Sequence, residues 1–143
     1  MPKGERTITI NAPVEKVFSY IDEPTNLLEI WPSMVEVKDV QRLPKGGTSF
    51  RFVYKMAGIR LKGTSEDIEY VANERTVTKI KGGTEAIYTW TFQPEDGGTK
   101  MTVEVEWTVP VPVLGKLAEV LIVRQQEREF DLFLANLKDK MEA

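Results

Sequence analysis

The sequence contains neither cysteine nor histidine. Without cysteine there are no disulfides, no thiolate–metal bonds and no cysteine nucleophile. Without histidine the commonest general base is gone, and with it serine–histidine triads and most zinc sites. No excess of charge replaces them. Lys and Arg total 19 against 22 Asp and Glu, a net charge of −3, which makes a nucleic-acid partner a poor fit. Long apolar runs are missing too: the longest purely aliphatic one, Val120 to Val123, is far short of a bilayer span. The opening MPKGERTITINAP lacks the apolar centre of a signal peptide. A soluble, cytoplasmic protein with no integral membrane segment is therefore expected. No glycine-rich loop lies between a strand and a helix, and no metal-ligand spacing occurs, so neither cofactor nor metal is expected.

What is present suits one compact core. The chain has 143 residues, 41% of them hydrophobic and 29% charged. Two domains would each be too small, whereas one of this size hides roughly 68% of its unfolded surface without a staple. A single domain over residues 1–143 is expected.

Thr7-Ile8-Thr9-Ile10 alternates as a strand with Ile8 and Ile10 on one face. Asn11-Ala12-Pro13 punctuates a helix start, and Val14, Val17, Phe18 and Ile21 follow at helical spacing. Asp22-Glu23-Pro24 breaks that helix, and Thr25 is placed to cap a second one carrying Leu27, Leu28 and Ile30 before Pro32. From Met34 the period becomes two. Strands are predicted around Val35–Val37, Phe50–Met56, Ile59–Val71, Arg75–Lys81, Ala86–Phe92 and Met101–Trp107, separated by turn residues at hairpin spacing. Pro110 and Pro112 end the sheet, and roughly Val113 to Glu142 reads as one long helix. Its second half carries the stripe Val123, Phe130, Phe133, Leu134, Leu137 and Met141. Leu114, Leu117 and Leu121 project nearly opposite, so the helix either bends near Arg124 or has its first turns covered on both sides. An apolar sheet face needs a cover, and only this helix is large enough. The expected fold class is α+β: a curved seven-stranded antiparallel sheet wrapped around a long C-terminal helix, with two short helices between strands 1 and 2.

The opening I-T-I-N-A-P-V-E-K-V-F-S-Y-I-D, the W-P at Trp31-Pro32, G-G-T-K-M-T-V-E-V-E-W at Gly97–Trp107, V-L-G-K-L and the final L-K-D-K-M-E carry a resemblance. In this order and spacing the chain, from Arg6 to Glu142, resembles the START-like (helix-grip) superfamily, nearest its polyketide cyclase/dehydrase branch. The resemblance implies a deep apolar cavity between sheet and terminal helix. Relatives of this kind bind or carry lipids, sterols, polyketides and plant hormones, and some act as cyclases, ring-hydroxylase subunits or co-chaperone modules. They share no single catalytic signature, so no catalytic residue transfers.

Strand parity turns Phe52, Tyr54, Met56, Tyr88 and Trp90 inward, with Val105 and Trp107 beside them. These residues are either the wall of a ligand cavity with Tyr and Trp handles or ordinary core, and so many large rings favour the cavity. Phe130 and Phe133 of the terminal stripe face them, and Trp31, with Leu27 and Leu28, is expected on a lid formed by Asp22–Trp31. Gln126 falls inside the apolar stripe and needs a partner, whether a ligand oxygen, a strand backbone group or water; Glu119 shares its azimuth two turns earlier. Asp67 and Glu69 share the parity of Leu61, so one carboxylate could enter the cavity as a general acid or base. Apolar Ile68 and Tyr70 have the opposite parity, so an exposed carboxylate is expected unless a bulge intervenes. Arg51, Lys55, Arg60 and Lys62 read as a solvated outer face.

Three functions follow. The first is binding, or transport, of a hydrophobic small molecule such as a lipid or polyketide. The second is a cyclase or dehydratase in which Tyr or carboxyl groups move protons, which the lack of histidine disfavours. The third is a co-chaperone-like interaction module, for which an outer face of Thr, Lys, Arg and Glu is poor material. The first is the expectation carried forward.

Overall fold

A computed structural model describes residues 3–56, 58–82, 85–108 and 116–143, with the side chains of 116–119 left out. Strand β1 (Lys3–Ile10) leads into α1 (Val14–Ile21), a 3₁₀ turn (Pro24–Asn26) and the single-turn α2 (Leu27–Ile30). Six strands follow: β2 (Met34–Arg42), β3 (Thr48–Met56), β4 (Ile59–Val71), β5 (Arg75–Gly82), β6 (Ala86–Glu95) and β7 (Gly98–Trp107). Helix α3 (Lys116–Glu142) closes the chain. The strands form one antiparallel sheet in the order β1-β7-β6-β5-β4-β3-β2. The last six run as a meander of hairpins, the local pairing that short turns allow. β1 instead pairs with β7, so β1 and β2 occupy opposite edges and the chain between them crosses from one edge to the other. That crossing is what the two short helices are for.

Burial on β3, β6 and β7 follows the expected parities, with Val53 of β3 buried on the other face as well. Phe50, Phe52, Tyr54 and Met56 of β3 are buried against Trp90 and Phe92 of β6 and Met101, Val103 and Val105 of β7 in one core cluster. α1 seats Val17 and Phe18 on it, and α3 adds Phe130, Phe133, Leu134, Leu137 and Met141. The second half of α3 is also held by polar ties. Asn136 Nδ2 donates to the Ile30 carbonyl at 3.0 Å, Lys16 Nζ to the Met141 carbonyl at 2.9 Å, and the Asn11 N–H to Glu142 at 2.8 Å. The last of these holds the Glu142 carboxyl below its usual range.

Two local expectations are corrected. Neither short helix has a side-chain cap; Thr25 lies inside the 3₁₀ turn and its hydroxyl donates to Glu23 at 3.0 Å. α3 runs as one element, and Leu121 on its first half is 56% exposed, so these turns are not covered on both sides. Leu114, Leu117 and Glu119 lie outside the described residues or side chains. The basic residues Arg51, Lys55, Arg60 and Lys62 are all exposed, as expected of an outer face.

Candidate functional site

Where the first half of α3 meets the concave side of the sheet, the core is not filled. A cavity of about 170 Å³ remains, walled by Phe52, Tyr54 and Met56 from β3 and Ala86, Tyr88 and Trp90 from β6. Val105 and Trp107 of β7 extend the wall, Gln126 and Phe130 of α3 form its cover, and Trp31 closes one side. Ten of the eleven expected residues thus meet around one space. The exception is Phe133, which is 0% exposed and sits behind the wall, stacked on Trp31 with ring centroids 4.5 Å apart. Trp31 itself is not a lid residue. It is buried, edge-on to Tyr54 and Tyr88 and stacked with Phe130 and Phe133. In the expected lid, Leu27 does face the cavity, whereas Leu28 is exposed to solvent.

The cavity's centre carries a short polar chain. The Trp31 indole Nε1–H donates to the Tyr54 hydroxyl at 3.3 Å, which donates to Gln126 Oε1 at 2.7 Å. An indole nitrogen can only donate, so the phenol oxygen accepts and its proton is free for Gln126. The amide therefore turns its oxygen to Tyr54 and keeps both Nε2 hydrogens, for which no partner is found among the described residues. Desolvation pushes the Tyr54 phenol up to about 12, and the nearby Glu129 charge adds to the effect. Tyr88, stacked on Trp90 at 5.9 Å, has its phenol raised by desolvation and then by Tyr54. It is half-buried and lines the cavity, and its hydroxyl too lacks a partner among the described residues.

One end of the cavity is polar, and here the exposed-carboxylate expectation fails. β4 pairs Asp67 with Thr78 but Glu69 with Val77, so Ile68 is the extra residue of a bulge. Before the bulge, Leu61, Ser65 and Asp67 point inward; after it, Tyr70 does, while Ile68 is 51% exposed. Glu69 stays outside and pairs with Arg75 at 3.2 Å. Asp67 Oδ1 accepts from the Thr78 hydroxyl at 2.7 Å and Oδ2 from the Thr48 N–H at 2.9 Å. These bonds favour the carboxylate, but desolvation outweighs them and raises its pKa above the usual carboxylate range. The β2–β3 turn packs onto this end: a side chain in place of Gly47, at φ +83°, would collide with Asp67. Close by, Asp22 accepts from Tyr70 at 3.2 Å and from Arg42 at 2.9 Å. At the opposite edge Arg6, inward on β1, donates to Asp131 of α3 at 2.7 Å.

The order of elements, the open grip and its aromatic wall coincide with a known family. A family model described as polyketide cyclase / dehydrase and lipid transport matches residues 1–142. The chain belongs to that family. No curated protein sequence matches it closely enough to count as a relative. Among solved structures it is similar to TTHA0849 from Thermus thermophilus, with a TM-score of 0.74 and 22% identity over 98% of this chain and 97% of that one. A START superfamily protein from Mycobacterium smegmatis gives 0.79 at 15% identity, covering 98% and 97%. The Zhui aromatase/cyclase from Streptomyces sp. R1128 gives 0.79 at 14% identity, covering 99% and 93%. These likenesses establish the helix-grip fold. Within the family's grip, sequence reasoning passed over Arg6, Thr48, Ser65 and Thr78. Each shares its parity with an apolar inward residue (Ile8, Phe50, Leu61, Ile80), which was the available signal. No described helix is long and apolar enough to cross a membrane.

Proposed function

We propose that this chain binds a hydrophobic small molecule, lipid-like or polyketide-like, between the sheet and the first half of α3. The observation that carries the reading is an unfilled space of about 170 Å³ walled by rings, with the Tyr88 hydroxyl and the Gln126 amide nitrogen unpartnered on its surface among the described residues. A void costs stability in proportion to its volume, and unpartnered polar groups add to that cost. A ligand that fills the space and accepts those hydrogen bonds removes both penalties. A dry cavity of ~150 Å³ admits a benzene ring, whereas drug-sized ligands occupy ~300–1,000 Å³. A ring system therefore fits as the cavity stands, and a longer molecule requires the first half of α3 to swing outward. We also read residues 1–143 as a single cytoplasmic domain with no nucleic-acid partner, in keeping with the small net charge.

Native mass spectrometry of the purified protein, followed by identification of extracted molecules, tests the reading. A bound apolar compound carrying a few oxygens is expected; a nucleotide or sugar phosphate would overturn it. One observation favours catalysis as a second reading: Asp67 faces the cavity with raised proton affinity, which suits proton transfer. Conversion of a poly-β-ketone thioester, lost in Asp67→Asn, is what that reading requires; binding without conversion leaves the first.

A further inference from the structure

The polar end of the cavity holds a group that nothing in the protein uses. Ser65 is 3% exposed and lines the cavity, yet its hydroxyl makes no hydrogen bond among the described residues. Two positions along β4 on the same face stands Asp67. Its two oxygens take one hydrogen each from Thr78 and the Thr48 backbone, and the Thr48 hydroxyl adds a further bond. A carboxylate offers about four acceptor positions, so capacity for another donor remains. An idle hydroxyl and an incompletely satisfied carboxylate thus stand together on the wall of an apolar cavity.

We propose that Ser65 and Asp67 form a hydroxyl-binding subsite that selects neutral alcohols or phenols over carboxylic acids; the proposal rests on the hydrophobic-ligand reading above. A ligand hydroxyl fits both partners: its hydrogen goes to Asp67, and its oxygen accepts from Ser65. A ligand carboxylate has no hydrogen to give and meets the Asp67 carboxylate, whereas Asp22 on the same cavity is paired with Arg42 at 2.9 Å. Because Asp67 is partly withdrawn from water, its repulsion of the ligand is screened less than at the open surface. The apolar remainder of the ligand lies along Phe52, Tyr88 and Trp90.

Equilibrium titrations with naphthalene, 2-naphthol and 2-naphthoic acid at neutral pH separate the possibilities. The phenol is neutral there and the acid ionised. The parent is expected to bind 2-naphthol about tenfold tighter than naphthalene, the size of one charge-assisted hydrogen bond, and 2-naphthoate no better than naphthalene. Ser65→Ala, which removes a hydroxyl without a protein partner, is expected to keep the parent's thermal stability and naphthalene affinity while losing several-fold in 2-naphthol affinity. Asp67→Asn is expected to lift the exclusion of 2-naphthoate. If naphthalene itself fails to bind, the cavity reading falls and the subsite with it. If naphthalene binds but 2-naphthol gains nothing, if Ser65→Ala leaves the preference intact, or if the parent takes 2-naphthoate as tightly as 2-naphthol, the subsite alone is refuted.

Discussion

Tyr54 accepts from the Trp31 indole and donates to Gln126, so removing its hydroxyl unpairs two groups at once. Tyr54→Phe is expected to cost about 1–3 kcal/mol at neutral pH, measured by denaturant unfolding. Its alkaline behaviour has a definite sign. The folded phenol titrates at about 12 against 10.0 for the free group, so the unfolded chain loses its proton first. The Tyr54 contribution is therefore complete below pH 10 and is lost as pH rises towards 12, at most about 2.7 kcal/mol at ~1.36 kcal/mol per pKa unit. A shallower fall of stability above pH 10 in Tyr54→Phe is the expected result; an unchanged slope would mean that the phenol is not desolvated. Asp67 shows how a single residue escapes sequence reasoning. Parity alone put it inside, but apolar Ile68 and Tyr70 argued for the reverse phase. Both patterns are real on β4, because the bulge at Ile68 changes phase between them. A bulge has no side-chain signature here, and its position is set by pairing with β5, which a local reading cannot see.

Helix α3 is two elements in energetic terms. From Phe130 onward its stripe of Phe130, Phe133, Leu134, Leu137 and Met141 is buried, with only Leu132 turned to solvent, and Lys138, Asn136 and the Met141 carbonyl tie it to β1, α2 and α1. Before Phe130 it is held by the Gln126–Tyr54 and Arg6–Glu127 contacts, the latter at 4.0 Å, while Val120 and Leu121 are exposed. Amide hydrogen exchange is expected to be faster over 120–127 than over 130–141, and a bound hydrophobe should slow the first segment selectively. Uniform protection along the helix would contradict a movable cover. The same division separates two phenylalanines of one stripe. Phe133→Ala empties solid core and is expected to cost about 3–5 kcal/mol. Phe130→Ala should cost less, because one side of that ring already faces the void. The stripe was legible from helical spacing, but which of its rings meets the cavity was not. That depends on where Trp31 inserts, and Trp31 arrives from the chain that crosses between the sheet edges.

The whole molecule follows from a sheet with one apolar face and a single helix able to cover it. Hairpin turns at Pro44–Gly47, Asn73 and Pro94–Gly98 made the meander legible, since local turns determine which strands pair. The β1–β7 pairing sets Lys3 opposite Glu106, a long-range register that no local turn announces. The helix covers the sheet incompletely, and the gap is the cavity. Whether that gap is functional space or packed core is tested most directly at Ala86, a small residue on its wall opposite Ile80 and Trp107. Thermal unfolding of the parent and of Ala86→Phe is measured with and without naphthalene. Naphthalene at a hundredfold excess over its dissociation constant is expected to stabilise the parent by about 2.7 kcal/mol. Ala86→Phe should stay folded, because empty volume absorbs the ring without overpacking, and should gain nothing from naphthalene. Unfolding of Ala86→Phe at ambient temperature, or an equal ligand gain in both proteins, would contradict a ligand cavity at this place.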